Sequence, residues 1–262
     1  MPIANDPFYL IDHRILALVM AAILLLTCEV GFRWGARRED MPDSMRSQIA
    51  GIGGATLGLM GLLLGFSLSM AISRWDARRD VIINEANAIG TLSLRAGLLE
   101  ERLRADLRES LRDYAEARIA LAGDRTKTDV LHKARRDSED LHADIWSAVE
   151  RANVPGQSNA VLSSLINSAN EVIDIHELRL SSLQNRLPTG LFYLLVGMAA
   201  LSVAFQASGF GATSRFGRGP PMLLAILITT VLLLIMDVNR PQRGSVEVGV
   251  APLERALMGI PI

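Results

Sequence analysis

"LLLGFSLSMAISRWDARRD", residues 62–80, passes from an uncharged, glycine-studded stretch directly into two Arg–Asp clusters. The first half has no need of water, and the second is costly in hydrocarbon, so the join marks a membrane surface. Extended backward, the uncharged half covers Ser47–Ser73, 27 residues without a charge. Three other runs share that character: Leu187–Ser214 with 28 residues, Gly219–Met236 with 18, and Ile15–Cys28 with 14. The last extends to Phe32 if Glu29 lies near an interface. A spanning helix needs about 20 predominantly apolar residues. The chain therefore reads as an all-α, polytopic membrane protein with four transmembrane helices, at 15–32, 47–73, 187–208 and 220–238. The segments between them are an N-terminal piece (1–14), short loops at 33–46 and 209–219, a helical domain at 74–186, and a tail at 239–262.

The remaining composition mostly excludes. Cys28 is the only cysteine, which rules out an intrachain disulfide and a thiolate metal cage. His13, His132, His142 and His176 lack metal-ligand spacing and read as solvated helix residues, so no metal or cofactor is expected. A net charge of −1 gives no support for nucleic-acid binding. No nucleophile–base pair, phosphate loop or metal box is visible, and no residue argues for an enzyme. Asp6 and Asp12 precede the first apolar run, and only Arg14 supplies positive charge, which is a poor cleavable signal.

The 74–186 segment holds 17 Lys/Arg and 19 Asp/Glu, a near balance that suits a solvated unit. Apolar residues in it recur at helical spacing. Leu92, Ala96, Leu99, Leu103, Leu107, Leu111 and Tyr114 form one stripe, broken by "AGDRTKT" at 122–128. Leu131, Ala134, Leu141, Ile145 and Val149 form a second, ended by "NVPG" at 153–156. Leu162, Leu165, Ile166, Ala169, Ile173, Leu180 and Leu183 form a third, which meets Pro188 where the chain should kink toward the membrane. Three helices with one apolar stripe each must bury it together or against another subunit. In the tail, "SVEVGV" (245–250) alternates like a short extended segment, and "PLERALMGI" (252–260) reads as one or two helical turns.

With four spans, both termini and the middle domain share one side. That side carries Arg14, Arg74, Arg78, Arg79, Arg179, Arg186, Arg240 and Arg243 near the membrane; the other carries Arg33, Arg37, Arg38, Arg46, Arg215 and Arg218. The excess favours a cytoplasmic domain, although the first hairpin alone would favour the reverse.

The second span has two distinct faces. At about 100° per residue from Leu62, Gly51, Gly54, Gly58, Gly61 and Gly65 fall between roughly −20° and −100°. Small residues let helices approach closely in lipid, so this face should press on another helix, within the chain or across a subunit seam. Beside it, Ala55, Leu62, Phe66, Ser69 and Ser73 lie within about 40° of zero, with Gly58 on the border. Around an axis, Leu62 and Phe66 would form apolar rings of the kind that gate by dewetting. Otherwise they face lipid or a neighbouring helix.

"LGFSLSMAISRW" (64–75) resembles the end of the second transmembrane helix in bestrophins, where Leu-Gly-Phe is followed eight residues after the Phe by Arg-Trp. "SRWDARRD" also looks like the Arg-Trp-Trp-Glu-Ala-Arg segment of bacterial bestrophins, and "EANAIGTLSLRAGLL" (85–99) is similar to bacterial membrane proteins described as bestrophin-like. The resemblance implies a pentameric anion channel, chloride-conducting, with cytoplasmic termini in the bacterial inner membrane. Its partners would be the bilayer, copies of itself and inorganic anions. The family's three neck positions fall on Gly58, Leu62 and Phe66. Phe66 matches in type, Leu62 is a conservative substitute, and Gly58 departs. Arg74-Trp75 is retained, whereas the calcium-binding acidic run of animal bestrophins is absent, so calcium gating is not implied.

The other polar residues carry two readings each. Arg74, Arg78 and Arg79 either anchor the helix at the interface or form a basic vestibule that concentrates anions. Glu85 and Asn87 interrupt an apolar stretch, as an interhelix hydrogen bond or as a polar site. Asp237 closes the fourth span, as an interface mark or as an ion site. The expectation is an oligomer around a pore lined by the second span. Its rivals are a non-conducting module whose helical domain binds a partner protein, and an energy-coupling stator, which should need an acid within a span.

Overall fold

The computed structural model describes residues 13–38, 41–123, 128–185, 187–213, 217–240 and 248–261. All regular elements among them are helical: α1 (His13–Ala36), α2 (Asp43–Ala96), α3 (Glu101–Gly123), α4 (Thr128–Arg151), α5 (Asn159–Gln184), α6 (Thr189–Thr213), α7 (Gly219–Asn239) and α8 (Ala251–Met258). Four of them, α1, α2, α6 and α7, are long and apolar enough to cross a membrane. The chain forms two compact units. The first holds α1, α2 up to Ser73, α6 and α7; the second holds α2 from Arg74, then α3, α4, α5 and α8.

In the first unit, α1 and α6 pack through glycines outside the face singled out in the second span. A Cβ placed on Gly31 would lie 2.5 Å from the Ala204 carbonyl oxygen, and one on Gly35 would lie 2.0 Å from that of Ser208. Gly211 returns the contact, 2.2 Å from the Phe32 carbonyl oxygen. Gly31 and Gly35 form a GxxxG pair, and such pairs permit backbone-to-backbone contact in lipid. Glu29 lies in the same helix and is neutralised: Arg33 Nε stands 2.6 Å from its Oε1, and Arg218 Nε donates to Oε2 at 2.8 Å. Arg218 also lies over the Phe32 ring at 4.7 Å. At the other end, the Leu187 amide donates to Asn239 Oδ1 at 3.0 Å, tying the entry of α6 to the exit of α7. Pro220 and Pro221 occupy the first turn of α7, where a missing N–H costs nothing.

The second unit has its own apolar core. Ile89, Leu92 and Ala96 of α2 join Leu107, Leu111 and Tyr114 of α3, Ile145 and Val149 of α4, and Leu165, Ala169 and Val172 of α5. The stripe from Leu92 to Tyr114 belongs to two helices, not one. The amides of Gly97, Leu98 and Leu99 turn back to the carbonyls of Leu94, Arg95 and Ala96 at 3.0 Å each, ending α2 before α3 begins. Leu99 stays buried in that turn, which preserves the spacing across it. The domain is therefore three helices packed on the end of α2. After α4, Gly156 takes φ +95°, a conformation open to glycine. The expected bend at Pro188 is a break: α5 stops at Gln184 and α6 starts at Thr189. In the tail α8 is a short helix as expected, residues 248–250 have no regular structure, and 245–247 lie outside the described residues.

The α1–α6 contact yields a stability prediction. Gly31→Ala or Gly35→Ala should cost about 1–3 kcal/mol, as overpacking does in a close-packed site. Gly197→Ala, on α6 with nothing within 4 Å of the added carbon, should be neutral or slightly stabilising. Thermal denaturation of the detergent-purified protein, followed by size-exclusion recovery, checks the contrast.

Candidate functional site

The long helix α2 keeps one burial phase from Gly53 to Ala96. Gly53, Met60, Ser67, Ala71, Arg78, Ile82, Glu85, Ile89, Leu92 and Ala96 are all buried, at spacings of three, four and seven residues. These spacings are whole turns or close to them, so the opposite side is equally consistent and is left bare. On it lie Ala55, Gly58, Leu62, Phe66, Ser69 and Ser73, all exposed; Leu62 is 57% and Phe66 63% accessible. The structure thus brings the expected neck residues together on one uncovered face. Gly51, Gly54, Gly61 and Gly65 lie beside it, and a Cβ on any of them or on Gly58 would meet nothing within 4 Å. Among the described residues, nothing in the chain packs closely on these glycines.

The three arginines after the span separate. Arg79 is exposed and Arg74 half-buried, whereas Arg78 is only 4% accessible, with its Nε donating to the Arg74 carbonyl at 3.0 Å. Arg78 projects about 160° from Leu62, on the buried side. In this chain Arg78 is therefore an interior group and not an exposed vestibule charge. Asp237 is half-buried in the last turn of α7, where its carbonyl accepts the Arg240 amide at 3.1 Å.

Glu85 and Asn87 also part company. Asn87 is exposed and lines an open cleft of about 670 Å³ between α2 and α5, with Val81, Asn84, Asn167, Asn170, Glu171, Asp174, Ile175 and Leu178. Glu85 is fully buried at the centre of an ion cluster. Arg118 Nε of α3 donates to its Oε1 at 2.7 Å, the Tyr114 hydroxyl donates to the same oxygen at 3.0 Å, and Arg179 of α5 donates to Oε2. Arg118 Nη1 also reaches His176 Nδ1 at 3.2 Å. A guanidinium only donates, so Nδ1 accepts and the His176 proton sits on Nε2. His176 meets His142 edge-on at 4.8 Å, and the Tyr114 and His142 rings are 5.2 Å apart. The Nε2 atoms of both histidines are buried without a hydrogen-bond partner among the described residues.

This overturns the reading of His176 as solvated: it is 2% accessible. His142 is half-buried, and the surroundings of His13 and His132 lie outside the described residues. Burial first, then the positive charge of Arg118 and the neighbouring His142, pushes the His176 pKa down to about 4, against the pull of Glu85 and Glu139. His142 is lowered by burial and Arg118. Burial and the Glu85 charge raise the Tyr114 phenol, which stays protonated as a donor. The signal for this cluster was phase. Arg118 continues the stripe 107, 111, 114, and His176 and Arg179 continue 165, 169, 172, so each polar side chain falls where an apolar residue is due.

Two outcomes follow from the cluster. Glu85→Gln leaves two arginines buried without a counter-charge and should cost roughly 3–5 kcal/mol. Melting of the full chain in detergent measures it. The folded pKa of His176 lies below its unfolded value of 6.5, so the unfolded chain binds the proton first as pH falls. Stability is then complete above pH 6.5 and declines toward pH 4. His176→Gln should flatten that decline, read as melting temperature against pH.

A family model of the Bestrophin-like domain matches residues 17–253. Crystal structures of variants of a bacterial bestrophin homologue from Klebsiella pneumoniae share the fold. One is 14% identical, with 92% of this chain and 99% of that chain covered and a TM-score of 0.68. A second variant is 12% identical, with 93% and 97% covered and a TM-score of 0.69. No curated protein matches. At such identity the structures establish the fold, while the family model, spanning nearly the whole sequence, establishes descent: the chain belongs to the bestrophin-like family.

Proposed function

We propose that the chain is the pore-forming subunit of an oligomeric ion channel, in which copies of α2 surround a common axis. The observation that supports it is the bare face of α2, uncharged from Ala55 to Ser73 and exposed among the described residues. A lone bundle gains nothing from keeping small and hydroxylated residues in register there. Around an axis, Gly58, Ser69 and Ser73 leave room for water, and Leu62 with Phe66 forms a short apolar neck that gates by dewetting. The uncovered glycine face becomes the seam between subunits, where backbones approach closely. Closed rings are the common form of homo-oligomer, and the resemblance to bestrophins supports five subunits, with the second unit and both termini in the cytoplasm.

The permeant ion implied by the resemblance is chloride, and exposed Arg79 favours that reading. The non-conducting alternative, a membrane module whose helical domain holds a partner protein, would leave Leu62 and Phe66 facing lipid. The stator reading finds no acid in the exposed face between Ala55 and Ser73.

The neck gives the test. Phe66→Ala, alone or with Leu62→Ala, should raise single-channel conductance severalfold in planar bilayers by easing hydration of the constriction. Because both side chains are mostly exposed within the chain, the fold itself should lose little, within about 0.5 kcal/mol as for other surface changes. Reduced stability with no current in any variant would replace the neck with a lateral packing role.

A further inference from the structure

Two members of the ion cluster in the second unit are in contact in only one protonation state. His176 Nδ1 accepts from Arg118 Nη1 at 3.2 Å, and the proton of the neutral ring is on Nε2. A second proton has only Nδ1 to go to. There it sets an N–H against an N–H and an imidazolium against a guanidinium. Arg118 is 1% and His176 2% accessible, so water screens little of that repulsion. Protonation of His176 and its contact with Arg118 therefore exclude each other.

Of the two partners, the ring is the one that yields. Arg118 has other bonds: its Nε donates to Glu85 Oε1 at 2.7 Å, and its Nη1 reaches the Ser138 hydroxyl at 3.5 Å. His176 Nε2 is buried with no hydrogen-bond partner among the described residues. The charged and titratable groups around the ring come from each neighbouring helix. They are Glu85 of α2, Tyr114 and Arg118 of α3, Glu139 and His142 of α4, and Glu177 and Arg179 on α5 itself. Glu85 already accepts three donors, so it has little left to offer an imidazolium. His142, edge-on to His176 at 4.8 Å, is half-buried and gives the cluster a member with access to solvent.

We propose that the Arg118–His176 contact is an acid-operated latch: a proton on His176 Nδ1 expels the ring and loosens α4 and the middle of α5, reversibly and with the first unit still folded. The latch stands whether or not the chain conducts ions. Glu85 belongs to α2, so the release reaches the helix that carries the exposed face.

The test is hydrogen exchange of the full chain in detergent, read by mass spectrometry and corrected for the intrinsic rate at each pH. In wild type, protection of α4 beyond Glu139 and of α5 from Val172 to Arg179 should fall roughly thirtyfold between about pH 7.5 and 5. That is the shift due to one group whose pKa is about 4 in place and 6.5 when released. Protection of α1 and α6 should hold, and return to neutral pH should restore the rest. His176→Gln keeps a carbonyl oxygen for Arg118 to bond and takes up no proton, so its protection should not change over this range. If that variant does not fold, the wild-type titration decides alone, since one proton gives a slope approaching tenfold per pH unit below about pH 6. Unchanged wild-type protection at pH 5 would overturn the latch, as would an equal loss across both units. The same loss in His176→Gln would overturn the assignment to His176.

Discussion

The helix α2 buries one and the same side against its own chain from Gly53 to Ala96. The covered positions keep one phase within a helix of 54 residues, roughly 80 Å long at 1.5 Å per residue. Everything else depends on that regularity. The first unit covers this side where it is apolar, and the second covers it where Arg78 and Glu85 require neutral or paired surroundings. Between Ala55 and Ser73 the remaining side carries small residues on either side of Leu62 and Phe66, and it is exposed among the described residues.

The second unit is held by an ion cluster as well as by apolar contact. Glu85 alone would be prohibitively costly in that interior, and it is tolerated because two guanidinium groups and a phenol converge on its two oxygens. These partners come from α3 and α5, so the cluster fixes the helix that carries the exposed face against two others. Arg118 does a second task by bonding the His176 ring, which fixes its tautomer. Burial is the main cause that lowers the pKa of both histidines, and the Arg118 charge lowers them further against the pull of Glu85.

Much of this was legible in the sequence because it is local. Absence of charge over a helix length marks a span, and a period of three to four marks a face, whatever the rest of the chain does. The bare face of α2, the glycines beside it and the α8 helix were all of this kind. Less legible were features that depend on which chain segment lies opposite. The turn at Gly97 was hidden because its buried Leu99 keeps the stripe in step. Gly31 and Gly35 were passed over because a single GxxxG pair says nothing until Ala204 and Ser208 face it. His176 was misread because spacing between histidines does not report burial, while its phase relative to Leu165, Ala169 and Val172 does. The same reasoning places Arg78 inside, in step with Ala71 and Ile82.

The central claim is that the bare face of α2 is turned toward copies of itself. Native mass spectrometry of the detergent-released protein tests it most directly. The expected result is one closed oligomer, a pentamer by family resemblance, that persists after delipidation. A monomer under those conditions would contradict it, because a single chain has no second surface to line a path.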